Sequence, residues 1–358
     1  MASFEDDDLA IYFWRWRKES SGYFLEPSVL HVPFWYKATV ENGSPSEKGA
    51  PLWLPDIAAM ILREASLPVS LLDGALPSPG RGRSRTRFAW TWLGNREFGW
   101  PPEAAAIRGG VMVSRDGPHG STWSVDWREG TPLPANPDPE LVAELTSRAG
   151  WADALDPKPP VLPANLLETL AGLHIEVPAT GPNRPEIPRS TRVAALPLIV
   201  KARRLALKPD PTLAVKAFDE AARKDPGNYG VRVEAGELLA MEKAPKRARP
   251  KLGEALRLHP YEAKAWHWLG HVAFDEKDPA RAEAMWRLAD FLTPNSADLL
   301  YDLACTRSLQ GDAPRSLAYL RRAWAAGFRS VNAIQADPDL RTLRADPHYA
   351  LFMQEVIR

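Results

Sequence analysis

The sequence predicts an α+β protein in which a β-rich amino-terminal domain (1–130) precedes an α-helical repeat array (195–358). Two observations divide the chain in this way. Ten of the 14 tryptophans lie at or before Trp151, among short aromatic and β-branched runs, whereas the second half repeats a pattern of small and apolar residues every 34 positions. A chain of 358 residues is also longer than the roughly 250–300 residues over which one core keeps growing.

The amino-terminal domain is expected to consist mainly of short strands. Strands are predicted within four aromatic and β-branched runs, at 10–17, 23–27, 28–40 and 85–94, and the stretch 110–127 predicts a hairpin that turns at Asp116–Gly117. Helices are expected at 55–66 and 101–107. This domain contains no phosphate-binding loop, dinucleotide fingerprint or serine-nucleophile motif, so the sequence assigns it no specific activity.

Two features of this domain have both a structural and a functional interpretation. The pairs Trp14/Trp16, Trp90/Trp92 and Trp123/Trp127 predict aromatic stripes that either fill a small β core or form a binding surface. The segment 81–96 places Arg81, Arg83, Arg85 and Arg87 ahead of aromatic residues, a combination that can contact phosphates and stack on bases. Alternating Arg and Ser also describe a solvated loop, and we expect no nucleic-acid partner.

A proline-rich segment, 131–194, connects the two halves. Short helices are predicted within it at 139–148 and 164–173. The stretch 177–188 is predicted to be a semi-rigid linker because of its prolines.

Four units of 34 residues fit the second half without a gap, at 195–228, 229–262, 263–296 and 297–330. Small residues that let two helices approach closely recur in three columns: Gly236, Gly270 and Ala304; Ala214, Ala248, Ala282 and Ser316; and Ala221, Ala255, Ala289 and Ala323. A large apolar column runs through Phe218, Leu252, Trp286 and Leu320, and a helix-ending proline column through Pro226, Pro260 and Pro294, broken by Phe328. No unit can bury its apolar face alone, so the units must stack.

These columns resemble the tetratricopeptide repeat family over about 195–330. The third unit matches best, with Trp266, Leu269, Gly270, Ala282, Trp286, Ala289 and Pro294, and the first departs most, with Lys201 and Ala202 where Leu and Gly are usual. The resemblance implies a solenoid of helix pairs. The tail, 332–358, then supplies a closing helix through Leu340, Leu343, Tyr349, Leu351, Phe352 and Val356.

The resemblance also implies that positions 2, 5, 6, 9, 12 and 13 of each unit line an inner, concave face. In the third unit these are Lys264, His267, Trp268, His271, Phe274 and Asp275; the first adds Ile199, Val200, Arg203 and Leu207, and the fourth adds Asp298, Tyr301, Asp302, Cys305, Ser308 and Leu309. We interpret as partner-binding residues Arg203, Lys264, His267, Trp268, His271, Phe274 and Tyr301.

Chemical interpretations of the same residues are less favoured. His267 and His271 share a helix face and could bind a metal with Asp275 or Asp302, but no Glu follows His267, so the H-E-x-x-H pattern is absent and no metal is predicted. A Cys305–His271 nucleophile pair would have to span adjacent helices about 10 Å apart. The carboxylate clamp of some family members is not carried over, because only Arg203 and Lys264 have suitable charge at its positions.

Bulk composition leaves a binding protein as the main prediction. Basic and acidic residues number 45 each, so no net charge directs the chain to nucleic acid or a membrane surface. A single cysteine, an acidic start unlike a signal peptide and the lack of a run of about 18 apolar residues indicate a cytoplasmic protein without a membrane span, and the Arg, Ala and Pro usage is typical of a GC-rich bacterial genome. The sequence predicts a non-enzymatic adaptor without a cofactor that binds a protein or peptide on the array. The alternative is an amino-terminal effector, enzymatic or nucleic-acid binding, that the array docks or regulates.

Overall fold

The computed structural model describes residues 9–13, 34–38, 86–91, 93–117, 122–126, 131–133, 136–148, 160–177 and 187–357. Internal contacts divide the chain into two compact units, 1–156 and 157–358. Several predictions lie outside the described residues: the strand at 23–27, the helix at 55–66, the residues Arg81, Arg83 and Arg85, and the tryptophans Trp14, Trp16, Trp92 and Trp127.

The described part of the amino-terminal unit contains two antiparallel sheets. Strands β1 (Leu9–Phe13) and β2 (Phe34–Ala38) form a pair. A four-stranded sheet follows in chain order, from β3 (Arg87–Thr91) through β4 (Glu103–Arg108) and β5 (Val111–Asp116) to β6 (Thr122–Asp126). The predicted hairpin is confirmed by the pairing of β5 with β6, and Gly117 beside its turn has a φ of +69°, which favours glycine.

The helix predicted at 101–107 is wrong, because this segment forms the inner strand β4. Alanine and glutamate favour a helix in isolation, but Pro101 and Pro102 precede the strand, and Gly109–Gly110, with φ of +59° and +89°, turn the chain directly into β5. The small side chains of β4 are buried on both faces of the sheet. One face packs on Ala89 and Met112, and the other on Leu141 and Leu145 of a helix, so tertiary packing outweighs local preference.

The described part of this unit also contains two helices. Helix α1 (Leu93–Phe98) follows β3, and only its first two residues fall within the run 85–94 in which a strand was predicted. Helix α2 (Pro139–Arg148) coincides with the first short helix predicted in the connecting segment. Helix α2 buries Leu141 and Leu145 on the sheet, and Arg108 of β4 forms ion pairs with its Glu140 and Glu144. The apolar contacts and these ion pairs together hold α2 against the sheet.

The carboxy-terminal unit is built from helix pairs that follow the predicted period. Helix α3 (Ala164–Gly172) comes first and coincides with the second predicted short helix. Four helix pairs follow it: α4 (Arg189–Ala206) with α5 (Thr212–Lys224), α6 (Tyr229–Met241) with α7 (Pro245–Leu258), α8 (Ala263–Asp275) with α9 (Pro279–Leu292), and α10 (Ala297–Leu309) with α11 (Ala313–Ala325). The first helices of pairs two to four start 34 residues apart, and so do the second helices. The first pair departs from this period: α5 starts 33 residues before α7, and α4 begins at Arg189, before the predicted start at residue 195.

The columns of the repeat are the core of the array. Every residue of the two alanine-rich columns and of the large apolar column is at most 2% exposed. The third unit shows why its small residue is required: a Cβ on Gly270 would lie 2.2 Å from Nε1 of Trp286. The proline column lies in the connections between pairs, at Pro226, Pro260 and Pro294.

The closing segment is broken into several short pieces instead of one helix. It consists of α12 (Val331–Ala336), a 3-10 turn (Pro338–Leu340), α13 (Arg341–Arg344) and α14 (Pro347–Ile357). The breaks fall where Asp337 and Asp346 precede prolines and accept hydrogen bonds from the backbone N–H groups of Asp339 and His348. Leu340, Leu343 and Phe352 are buried against the fourth pair as predicted, whereas Leu351 is 54% exposed.

Candidate functional site

Helix α8 presents partly exposed aromatic rings, while other residues of the same helix are buried in the core. Trp266, Leu269 and Gly270 of this helix are buried, while His267, Trp268, His271 and Phe274 are partly exposed. These four residues, which we call the aromatic face, lie at positions that the repeat resemblance assigns to the inner face.

The rings of the aromatic face contact one another and rest on Trp286 of α9. The centroid of the His271 ring lies 4.9 Å from that of Trp268 and 5.3 Å from that of Trp286. Phe274 lies 5.7 Å from Trp286, whose Nε1 donates a hydrogen bond of 2.9 Å to the carbonyl oxygen of His267. Trp286 is 2% exposed, so a buried ring supports the exposed ones from beneath.

Asp302 of α10 joins the two histidines to the next repeat. Its Oδ2 lies 2.7 Å from Nε2 of His267 and 3.2 Å from Nε2 of His271. Burial alone would raise the pKa of the Asp302 carboxyl, but the hydrogen bonds from the two histidines outweigh burial and lower it. Asp302 is therefore ionised at neutral pH and holds both imidazoles at one oxygen.

The two predicted cationic residues are paired with carboxylates across repeats. Arg203 of α4 makes a bidentate contact with Glu234 of α6, with Nε–Oε2 at 3.0 Å and a terminal nitrogen 2.7 Å from Oε1. Lys264 of α8 lies 2.6 Å from Glu237 of α6. Arg203 lies at position 9 of the first unit, and its partner Glu234 lies at position 6 of the second. The same two positions are occupied by His271 in the third unit and Asp302 in the fourth.

Tyr301 of α10 is engaged by the closing segment. Its hydroxyl donates a hydrogen bond of 2.8 Å to Asp337, and its ring stacks on Phe328 at 4.3 Å. The Cys305 thiol contacts the same carboxylate at 3.7 Å. Burial and the nearby Asp337 carboxylate raise the pKa of Cys305, so its thiol is protonated at neutral pH and is a poor nucleophile.

The remaining predicted residues fall in different environments. Ile199 and Ser308, both assigned to the inner face, are completely buried and therefore not available to a partner. Leu207 is 87% exposed and Val200 is partly exposed. Of the predicted arginine patch, Arg87 lies in β3.

Sequence reasoning missed the acidic partners Glu234, Glu237 and Asp337. The first two carry a signal, since they lie at inner-face positions of the second unit and oppose basic residues in adjacent units. Asp337 carries none, because its contact depends on how the closing segment folds back on α10.

None of the helices in the described part of the chain combines the length and apolar character that a membrane crossing requires.

Comparison with known proteins gives partial structural neighbours. No protein-family model and no curated protein matches the chain. Among solved structures, it is similar to MamA (19% identity, TM-score 0.39, covering 47% of this chain and 91% of that one) and to Pseudomonas aeruginosa pilF (20%, 0.37, 45% and 76%). It is also similar to YrrB, described as a TPR protein with an unusual peptide-binding site (17%, 0.34, 45% and 92%). The helix pairs, with their 34-residue period and buried columns, resemble the tetratricopeptide repeat in fold.

Proposed function

We propose that this chain is a cytoplasmic, non-enzymatic adaptor whose helical array binds a segment of a partner protein on the aromatic face. The observation that carries the proposal is the partial exposure of Trp268, His271 and Phe274 on a rigid support. Tryptophan is among the residues that most often dominate binding energy at protein interfaces, especially near the centre of a contact surface.

The other repeat units stack without an aromatic side chain at the position of Trp268. The position of Trp268 is occupied by Val200, Glu234 and Asp302 in the other units, all within intact helix pairs. Since Trp268 and His271 already contact each other, ordering them on binding would cost little conformational entropy.

The surroundings of the aromatic face suggest the character of the partner segment. The ion pair Lys264–Glu237 joins α8 to α6, and Arg203–Glu234 joins α4 to α6, so both signs of charge lie on the first helices of these units. An apolar centre with a polar margin is the usual anatomy of a specific protein interface. We therefore expect a partner segment with an aromatic or aliphatic anchor flanked by polar residues.

A binding role also fits the chemistry of the site better than covalent catalysis. Cys305 is a candidate nucleophile in the fourth unit, but its thiol is buried and protonated, and it contacts the Asp337 carboxylate. A nucleophile needs a nearby base and access to substrate.

The test begins with a partner that co-purifies with the full chain from its host and uses that partner in titrations. Trp268→Ala should weaken binding by roughly 30-fold or more, equivalent to about 2 kcal/mol, because an interface anchor is lost. The matched control is Phe291→Ala on α9, an exposed aromatic residue (37%) of a second helix, which should change the affinity less than about threefold. Equal effects of the two changes would refute the assignment of the aromatic face.

A further inference from the structure

Two residues of the aromatic face, His267 and His271, form with Asp302 a cluster that has the composition and spacing of a metal site. One candidate ligand atom each from His267, His271 and Asp302 lies within 4.8 Å of the other two. The Nε2 atoms of both histidines converge on the same carboxylate oxygen, at 2.7 Å and 3.2 Å. The histidines are one helical turn apart on α8, and the carboxylate comes from α10 in the next unit.

The spacing suits a first-row divalent ion. Zinc binds imidazole nitrogen and carboxylate oxygen at about 2.0–2.2 Å, which places two ligand atoms of a tetrahedral site about 3.3 Å apart. The two nitrogen–oxygen distances, 2.7 Å and 3.2 Å, lie just below this value, and no two of the three atoms are more than 4.8 Å apart, so small side-chain rotations would bring all three to bonding distance. Two imidazoles and one carboxylate form a ligand set that favours zinc and its neighbours over magnesium or calcium.

Comparison between units argues against a purely structural ion pair. The ion pair between the first and second units is formed by Arg203 and Glu234, and arginine stays charged at every physiological pH. At the equivalent positions the third and fourth units have His271 and Asp302, and imidazole and carboxylate are both common metal ligands, whereas the guanidinium of arginine is not. A second imidazole, His267, replaces the Ile199, Val233 and Tyr301 found at its position in the other units.

The surroundings hold the candidate ligands in place and leave them accessible. The His271 ring lies against Trp268 and Trp286, and the backbone of His267 is fixed by the Trp286 indole N–H. The side chains of His267, His271 and Asp302 are 18%, 30% and 19% exposed. Fixed but reachable ligands are what a metal site needs in order to load from solution.

We propose that His267, His271 and Asp302 form a zinc site that links the third and fourth repeats. Three protein ligands leave a fourth coordination position for water or for a donor atom of another molecule. The ion would neutralise the Asp302 carboxylate and join α8 to α10. The inference stands apart from the partner-binding proposal, and its test requires no partner.

The test uses the full chain without a purification tag, stripped of metal with a chelator and titrated with Zn²⁺ against a fluorescent zinc indicator. One Zn²⁺ per chain should bind. His271→Gln and Asp302→Asn should each raise the Kd at least about 30-fold, since loss of even a supporting group of a metal site typically costs roughly 10–100-fold. The matched control is His348→Gln, because His348 also contacts an aspartate, Asp346, at 2.9 Å but has no second histidine beside it; its Kd should be within about threefold of the unchanged chain.

Two further measurements distinguish a defined metal site from non-specific binding of metal ions to the surface. Co²⁺ should give the strong visible absorption of a four-coordinate ion with the unchanged chain and lose it with His271→Gln. Zn²⁺ should raise the unfolding temperature of the unchanged chain and of His348→Gln, because ligands that bind only the folded state stabilise it. Absence of Zn²⁺ binding by the unchanged chain, or equal binding by Asp302→Asn with unchanged far-UV circular dichroism, would overturn the proposal.

Discussion

The close approach of Gly270 to Trp286 allows the cost of one added methyl group to be worked out. In Gly270→Ala the new Cβ would lie 2.2 Å from Trp286 Nε1 and 2.4 Å from its Cδ1. Trp286 is buried and hydrogen bonded to the His267 carbonyl, so the ring has to give up that bond to move. Overpacking of this severity costs about 3 kcal/mol, the lost hydrogen bond about 1 kcal/mol, and the better helix propensity of alanine returns about 1 kcal/mol. The free energy of unfolding should therefore fall by about 3 kcal/mol.

Urea unfolding of the full chain, followed by the far-UV helix signal, measures this change. The matched control is Gly253→Ala in α7, where no atom lies within 4 Å of the added Cβ, and it should raise stability by about 0.5–1 kcal/mol. The double change Gly270→Ala/Trp286→Leu recreates the Ala304–Leu320 pair of the fourth unit. Its cost should be at least about 1 kcal/mol less than the sum of the single changes. A Gly270→Ala chain as stable as the control would refute the packing argument.

Three other predictions follow from the structure. The fragment 157–358 should be about 3–5 kcal/mol more stable in urea than the fragment 187–358, because both retain the whole of α4 and only the longer one retains the buried Leu166 and Leu170 of α3; equal stabilities would mean that α3 contributes nothing to the core. Cys305 should react with a thiol-alkylating reagent far more slowly in the folded than in the urea-unfolded chain, and rapid labelling of the folded chain would contradict its burial. The free energy of unfolding should fall as pH rises above about 8.5, because the thiol ionises first in the unfolded chain. Tyr301→Phe should cost about 1–2 kcal/mol in the same urea assay by removing the hydrogen bond to Asp337, whereas an unchanged midpoint would show that this bond does not stabilise the closing segment.

The sequence predicts the helical array well because packing in each unit repeats. A residue such as Ala282 or Trp286 meets the same environment in every unit, so its column reveals its contact without any knowledge of the fold. The predicted unit starts at 229, 263 and 297 therefore coincide with the first residues of α6, α8 and α10, and the predicted columns are buried.

Features that occur once in the chain were not predictable in this way. The alanines of strand β4 led to the prediction of a helix. In the structure these small side chains fit the narrow space between two layers, and only the folded sheet defines that space. The first helix pair has no preceding repeat, and α4 extends back to Arg189.

Contacts between inner-face residues were predictable only in part. The positions of His267 and His271 on one helix face follow from their spacing, and Asp302 was one of two possible third partners in sequence. Which acid is reached depends on the offset between α8 and α10, and this offset comes from packing between repeats. The contact of Tyr301 with Asp337 depends likewise on the closing segment.

The central claim, that a partner segment binds on the aromatic face, is tested most directly by photo-crosslinking from defined positions of the folded chain. A crosslinking amino acid replaces Trp268 on α8 in one variant and Phe291 on α9 in the other, and each is irradiated with the co-purified partner. The account predicts a crosslinked product from position 268 that free partner segment suppresses, and little or none from position 291. Crosslinking from position 291 alone, or equally from both positions, would contradict it.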